Sequence, residues 1–246
     1  MTPALPPLPE PFGWRDGQIA AALPGGRMLF TTRLDAAAGV PIDLRRWDEP
    51  EAWPFAAQAL AGEVGLPGDR IAQSHQVHEA RVRRIVSEAD LQAPPSDYDA
   101  QATTLADVAC VVRTADCVPV ALVAPEAVAV VHAGWRGLAL GVLQAAVAEL
   151  RELGATEVRA AIGPAARVCC YEVGDDVHDT FAGFGPGARR GSHADLAFIA
   201  RESLEQAGVT EIHDTGLCTI CAPELLWSFR REGEAAGRQG VVAWRS

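Results

Sequence analysis

The chain contains no lysine: all 21 of its basic residues are arginine. That absence removes Schiff-base chemistry, internal attachment of pyridoxal phosphate and a P-loop lysine from what the protein can do. An anion must be held by arginine, by backbone N–H groups or by a metal, and the planar guanidinium suits phosphate through paired hydrogen bonds. Positive charge is scarce overall. The 32 acidic residues leave a formal net charge of -11, which argues against nucleic acid as a partner, because a phosphate backbone needs a basic face. No apolar run approaches the length of a membrane span. Met1 to Pro11 is proline-rich, with neither the basic nor the apolar region of an export signal. A cytoplasmic protein without a membrane partner is expected.

Cysteine is present but not in a disulfide pattern. The six residues are Cys110, Cys117, Cys169, Cys170, Cys218 and Cys221, and a reducing compartment argues against bridging them. Cys218-Thr219-Ile220-Cys221 has the spacing of half a structural zinc site or of a redox pair. The adjacent Cys169 and Cys170 do not supply the usual loop geometry of a second half. These four are therefore expected to be packing or pocket-wall residues, and Cys110, inside Val108 to Val112, a core residue.

At 246 residues and 49% hydrophobic content the chain can bury a sizeable core, and no linker-like tract divides it. Strands are expected over Arg27 to Thr32, Ile71 to Ser74, Ala80 to Val86, Val108 to Val112, Val118 to Val123, Val128 to Val131, Val158 to Ile162 and Val241 to Trp244. Helices are expected over Pro50 to Val64, after His132 with Leu140, Leu143, Val147 and Leu150 on one face, over Gly174 to Phe181, and over Asp195 to Ala207. Ala93 to Asp99 reads as a proline-rich loop.

Three stretches each set a metal-competent side chain beside an apolar run: Gln76-Val77-His78, Ala115-Asp116-Cys117, and His132-Ala133-Gly134-Trp135-Arg136-Gly137. Taken singly, each Cys or His reads as readily as core or surface. Taken together they offer one thiolate and two imidazoles, and three protein ligands plus a water is the usual composition of a zinc centre that does chemistry. Gly134 and Gly137 permit a tight strand-to-helix turn with free N–H groups at the helix start. His75, three residues before His78, is expected on the opposite face.

Gln-Val-His, Ala-Asp-Cys followed by Pro119-Val120, and His-Ala-Gly-Trp-Arg-Gly, in that order, resemble the laccase-domain family of purine nucleoside phosphorylases, also called polyphenol oxidases or peptidoglycan editing factors. Further matches are Phe30-Thr31-Thr32-Arg33, Gly163-Pro164, Tyr171-Glu172-Val173-Gly174, Asp195-Leu196, Gly216-Leu217-Cys218-Thr219, Ser228-Phe229-Arg230-Arg231 and Gly237-Arg238. The resemblance implies an α+β fold, a layered α/β/β/α sandwich of mixed sheets in one domain over 1–246, with 1–26 a partly irregular N-terminal extension. The chain departs from the family at Asp43-Leu44-Arg45, where Asn-Leu-Gly is usual, and at Glu79, where glycine often follows the first histidine. Both departures bear on the substrate-side wall.

The resemblance also implies Zn²⁺ held by His78, Cys117 and His132. Such an ion would lower the pKa of a bound water towards neutrality and suit deamination of adenosine at C6. Phosphorolysis of adenosine, inosine or methylthioadenosine needs phosphate oriented near C1′, for which Arg33 and Arg136 are candidates, with Glu172 a further substrate-side acid or base. The expected partners are purine nucleosides and phosphate, the expected state monomer or homodimer. Two other chemistries stay open. A copper polyphenol oxidase is disfavoured because six histidines and two methionines do not furnish a blue-copper site plus a trinuclear cluster. A metal-free reading makes Cys117 and His132 the nucleophile and base of a hydrolase or amidase acting on peptidoglycan precursors.

Overall fold

The two strands that flank the Ala-Asp-Cys and His-Ala-Gly segments consist of residues buried along their whole length. A strand so covered on both faces lies inside a layered fold, and the other elements assemble around this pair. The computed structural model describes residues 4–34, 42–45 and 53–246. In chain order the strands are β1 (Gly13–Arg15), β2 (Gln18–Leu23), β3 (Gly26–Phe30), β4 (Ile71–Ala72), β5 (Val82–Ile85), β6 (Ala100–Thr103), β7 (Ala109–Thr114), β8 (Val118–Val123), β9 (Val128–Ala133), β10 (Arg159–Ile162), β11 (Arg189–Arg190), β12 (His193–Ala194), β13 (Glu211–Asp214) and β14 (Gln239–Arg245). The α-helices are α1 (Trp53–Val64), α2 (Glu88–Gln92), α3 (Trp135–Ala139), α4 (Val142–Glu152), α5 (Asp175–Thr180), α6 (Leu196–Gln206) and α7 (Phe229–Glu232).

Two mixed sheets result. One runs β1-β2-β3-β14-β7-β4 and the other β13-β10-β8-β9-β6-β5, with parallel pairs at β4–β7, β5–β6 and β10–β13. Period-two alternation assigns each residue its layer. Met28, Phe30, Val112 and Val241 of the first sheet meet Ala121, Val123, Val128 and Val130 of the second in a core between the sheets. Leu29, Val111, Val242 and Trp244 face outward onto Leu60, Ala61 and Val64 of α1. Val120, Leu122, Ala129 and Val131 face the opposite way, onto Leu143, Val147 and Leu150 of α4 and Ile199 and Leu204 of α6. Burial of each larger aliphatic side chain contributes about 1.5–3 kcal/mol. This is the α/β/β/α sandwich expected.

The structure refines the expected elements at three points. Within the N-terminal extension, expected to be partly irregular, residues 13–23 form a hairpin of the first sheet, turned by Asp16 and Gly17 at φ +49° and +79°, the left-handed pair that a two-residue type I′ turn requires. The helix after His132 is broken: Gly141 at φ +82° separates α3 from α4, and Leu140 is left 62% exposed instead of joining Leu143 and Val147. The short strands β6 and β13 are not legible in the sequence because each is four residues long and made mostly of small or polar residues, with no β-branched run. The expected helix start at Pro50 lies outside the described residues, within which α1 begins at Trp53.

Candidate metal centre

Three loops and strand ends converge at one end of β8 and β9, the central strands of the second sheet. In β8 and β9 the antiparallel register pairs Val118 with Ala133 and Pro119 with His132, so Cys117, just before β8, arrives beside the end of β9. The third segment, Gln76 to His78, lies between β4 and β5. It is fixed by the Gln76 amide, which donates to the Arg113 carbonyl (2.7 Å) and accepts from the Arg113 N–H (2.8 Å). His78 sits at φ +63°, a left-handed conformation that costs a non-glycine residue about 1–2 kcal/mol.

What offsets that cost is Asp99. Its fully buried carboxylate accepts the consecutive N–H groups of Val77 (3.1 Å), His78 (3.0 Å) and Glu79 (2.8 Å), and contacts His132 Nδ1 at 2.7 Å. Three successive N–H groups curled around one anion form a backbone nest. Asp99 stands opposite His132 because β6 and β9 pair Ala100 with Val131, and the His132 N–H donates to the Asp99 carbonyl at 2.7 Å. One side chain thus orients two of the three candidate ligands. With Nδ1 committed to Asp99, His132 presents Nε2 to the centre, the carboxylate–imidazole arrangement that supports metal ligation.

The ligand atoms of His78, Cys117 and His132 all lie within 4.8 Å of one another. Burial alone would keep the Cys117 thiol protonated; attraction and hydrogen bonding to His132, with a hydrogen bond from His78, outweigh it and bring its pKa down to about 6. Burial likewise resists charge on His132, but Cys117 on one side and Asp99 on the other raise it to about 9. The site therefore favours the thiolate, the form that binds metal. Gly134 completes the cradle: a Cβ there would stand 3.0 Å from His78 Cδ2 and 3.1 Å from Cys117 Sγ. The donor set, its convergence and its carboxylate support all fit a zinc ion, and three protein donors leave the cluster open on one side.

That open side faces a pocket of about 490 Å³. In a chain of net charge -11 its wall carries Arg45, Arg113, Arg136, Arg230 and Arg238. Three of these stack on aromatic rings that also line it: Arg136 on Trp135 (4.3 Å), Arg230 on Tyr171 (5.0 Å) and Arg238 on Phe229 (5.5 Å). Such cation–π contacts hold the guanidinium groups in place before any ligand arrives. Asp116 is the one carboxylate of the lining, and both its oxygens are engaged, by the Thr219 hydroxyl and the Arg230 N–H at 2.6 Å each.

The residues expected from sequence divide accordingly. His78, Cys117 and His132 come together, and Arg136 lines the pocket. Arg33 does not: its guanidinium pairs with Glu232 at 2.9 Å, donates to the Pro223 carbonyl at 2.6 Å and stacks on Trp227. The Glu172 side chain is outside the lining; its carbonyl is used, by Arg230 at 2.7 Å. Its neighbour Tyr171 occupies the wall instead. His75 is exposed, as expected, beside Asp97. Sequence reading missed Asp99 and the arginines at 45, 113, 230 and 238 as pocket groups. Nothing in the sequence around Asp99 marks it, whereas the departure from the family pattern at Arg45 was an available signal.

Sandwich and site together define a class: an enzyme-like α/β/β/α fold with a Cys–His cluster able to hold a metal ion, in an arginine-lined pocket. The model of the family described as multi-copper polyphenol oxidoreductase laccase matches residues 27–246, and the chain belongs to that family. It is 38% identical to a purine nucleoside phosphorylase of Pseudomonas aeruginosa, over 89% of this chain and 93% of that one. It is 35% identical to an adenosine deaminase of an unknown prokaryotic organism, covering 77% and 80%. Among solved structures it resembles YlmD of Geobacillus stearothermophilus, with a TM-score of 0.82, 27% identity, and coverage of 96% and 99%. The copper in the family's description finds little support in the donor set. Among the described residues His78, Cys117 and His132 are the one histidine-containing cluster of metal-competent groups, too few imidazoles for a trinuclear copper cluster. No helix among the described residues is long and apolar enough to cross a membrane.

Proposed function

We propose that the protein is a zinc-dependent purine nucleoside enzyme that phosphorolyses adenosine, inosine and methylthioadenosine and also deaminates adenosine. The observation that carries this reading is the placement of a thiolate and two imidazoles, within 4.8 Å of one another, at the floor of a pocket walled by five arginines. The names of the relatives, phosphorylase and deaminase, support it. His78, Cys117 and His132 hold the metal; when bound, zinc supplies a Lewis acid able to activate water or polarise a substrate oxygen or nitrogen.

The chain's own residues do the rest. Asp99 keeps His132 in one tautomer and holds the His78 loop. The arginine wall binds hydrogen phosphate and aims an oxygen at C1′, so that a C1′–O bond forms as the C1′–N9 bond breaks and the purine leaves with the proton that the hydrogen phosphate gives up. Guanidinium groups fixed beforehand on Trp135, Tyr171 and Phe229 offset the charge of that transition state without reorganising. Deamination needs no such anion: water oxygen replaces the 6-amino group and ammonia leaves.

The decisive assay is turnover of adenosine by zinc-loaded protein with and without phosphate. Inosine appearing without phosphate shows deamination, adenine appearing with phosphate shows direct phosphorolysis, and no turnover of any nucleoside refutes the proposal. Cys117→Ala should abolish turnover and weaken zinc binding by orders of magnitude. A second reading has a specific observation behind it, since Cys117, His132 and Asp99 also form a chain of nucleophile, base and orienting carboxylate. Cys117→Ala that loses activity but keeps its zinc would favour that hydrolase.

A further inference from the structure

We propose that Cys169, Cys170, Cys218 and Cys221 form a second metal site, an all-thiolate tetrahedral site that takes a zinc ion and ties two loops together beside the pocket. The expectation that adjacent Cys169 and Cys170 could not complete a site with Cys218 and Cys221 is overturned: the four sulfurs all lie within 4.8 Å of one another. Nor do they wall the pocket; none belongs to its lining. Zinc–sulfur bonds of about 2.3 Å make a tetrahedron with edges of about 3.8 Å. The separations Cys170–Cys221 at 3.1 Å and Cys169–Cys221 at 3.5 Å bracket such an edge from below and the 4.8 Å limit from above.

The scaffold that brings them together is built without the metal. The Ala165 N–H donates to the Leu217 carbonyl at 3.2 Å, and the Thr219 N–H to the Ala165 carbonyl at 3.0 Å, so the two loops run side by side. In one loop the N–H groups of Cys170 and Tyr171 both donate to the Arg167 carbonyl at 2.9 Å, a turn that swings the two adjacent side chains to the same side. In the other, Cys218 and Cys221 stand three residues apart, and the intervening carbonyls of Thr219 and Ile220 accept from Arg231 at 2.6 Å and 3.1 Å, which fixes the turn between the two cysteines. Three arginines tie down the loops that carry the cysteines: Arg167 donates to the Leu217 carbonyl and pairs with Asp214, Arg231 donates to the carbonyls of Thr219 and Ile220 and pairs with Glu232, and Arg190 donates to the carbonyl of Val168.

A disulfide explains less. Disulfides would join the four sulfurs as two separate pairs, whereas here every sulfur lies within 4.8 Å of the other three, the mutual convergence of one tetrahedral site. Metal held here would also steady the pocket wall, because Thr219 and Tyr171, which brace Asp116 and Arg230, are each next to one of the four cysteines.

The site lies apart from His78, Cys117 and His132, so metal counting separates the two. The full chain, grown with zinc and purified under reducing conditions, should carry two zinc ions by elemental analysis. Cys169→Ser/Cys221→Ser, which replaces two exposed thiols, should carry one, and Cys117→Ala should also fall to one. One ion in the wild type, retained by Cys169→Ser/Cys221→Ser and lost by Cys117→Ala, overturns the second site. One ion with the reverse dependence upholds it and counts against the zinc reading of the pocket. Cobalt loading of the wild type guards against misfolded variants. Sulfur-to-cobalt charge-transfer absorption from a four-thiolate site, beyond that of one thiolate, is expected; the spectrum of a single thiolate refutes the proposal. Iron in place of zinc, or a disulfide between these cysteines in the reduced preparation, refutes it as well.

Discussion

Asp99→Asn tests the construction of the proposed metal centre more sharply than loss of a candidate ligand does, because Asn is close in size and position 99 is not itself one of the three candidate ligands. The native carboxylate accepts three backbone N–H groups and contacts His132 Nδ1 at 2.7 Å, all at a fully buried position. Asn keeps one acceptor oxygen and turns an NH₂ towards groups that are themselves donors. Hydrogen bonds to a charged group contribute about 1.5–3 kcal/mol each, and breaking a buried charged pair costs about 3–5 kcal/mol. A stability loss of about 3 kcal/mol or more is therefore expected from urea unfolding at neutral pH. Loss of an orienting partner to a ligating histidine lowers metal affinity about 10–100-fold, which a competing chelator would measure. The sign of the pH dependence is fixed too. Burial would raise the Asp99 pKa, but its bonds to His132 and to the N–H groups of Glu79 and Val77 outweigh this and hold it below the ordinary value. Its contribution is thus complete above the unfolded value of about 4 and is lost as pH falls through the lower folded pKa. The gap between wild type and Asp99→Asn should narrow on acidification below about pH 4. Zinc affinity and unfolding midpoint both equal to wild type at neutral pH would show that Asp99 does not organise the centre.

Two further substitutions probe the pocket. Arg136 stacks on Trp135 at the metal end of the wall, so Arg136→Gln should raise the KM for phosphate and reduce phosphorolysis more than deamination in steady-state assays; equal losses with a lower Tm would make Arg136 a structural brace. Gly134→Ala puts a methyl group 3.0 Å from His78 Cδ2 and 3.1 Å from Cys117 Sγ, so zinc content should fall by at least half; full zinc content with wild-type activity would show that the cluster yields freely.

Local pattern determined a good deal of this protein. The limits of Val118–Val123 were legible because a strand buried on both faces is an unbroken apolar run, and the helix at Leu196–Gln206 because Asp195 caps it through the Phe198 N–H. The three candidate ligands were legible because each sits in a short segment whose residue types suit only a few chemistries, and because those segments resemble a family. Tertiary structure decided what depends on register and on distance in the chain. Asp99 faces His132 across 33 positions of sequence only because β6 and β9 pair as they do, and a lone aspartate before a strand carries no mark of that. Arg33 was drawn off to Glu232, and Arg230 was brought to the pocket from far along the chain, because pairing of charges follows space and not order. The four cysteines show the same limit: adjacent residues look unfit to share a site, yet a single turn at Arg167 and a two-strand contact at Ala165 and Cys218 bring their sulfurs together. Sequence names the groups able to do chemistry; the fold decides which of them meet.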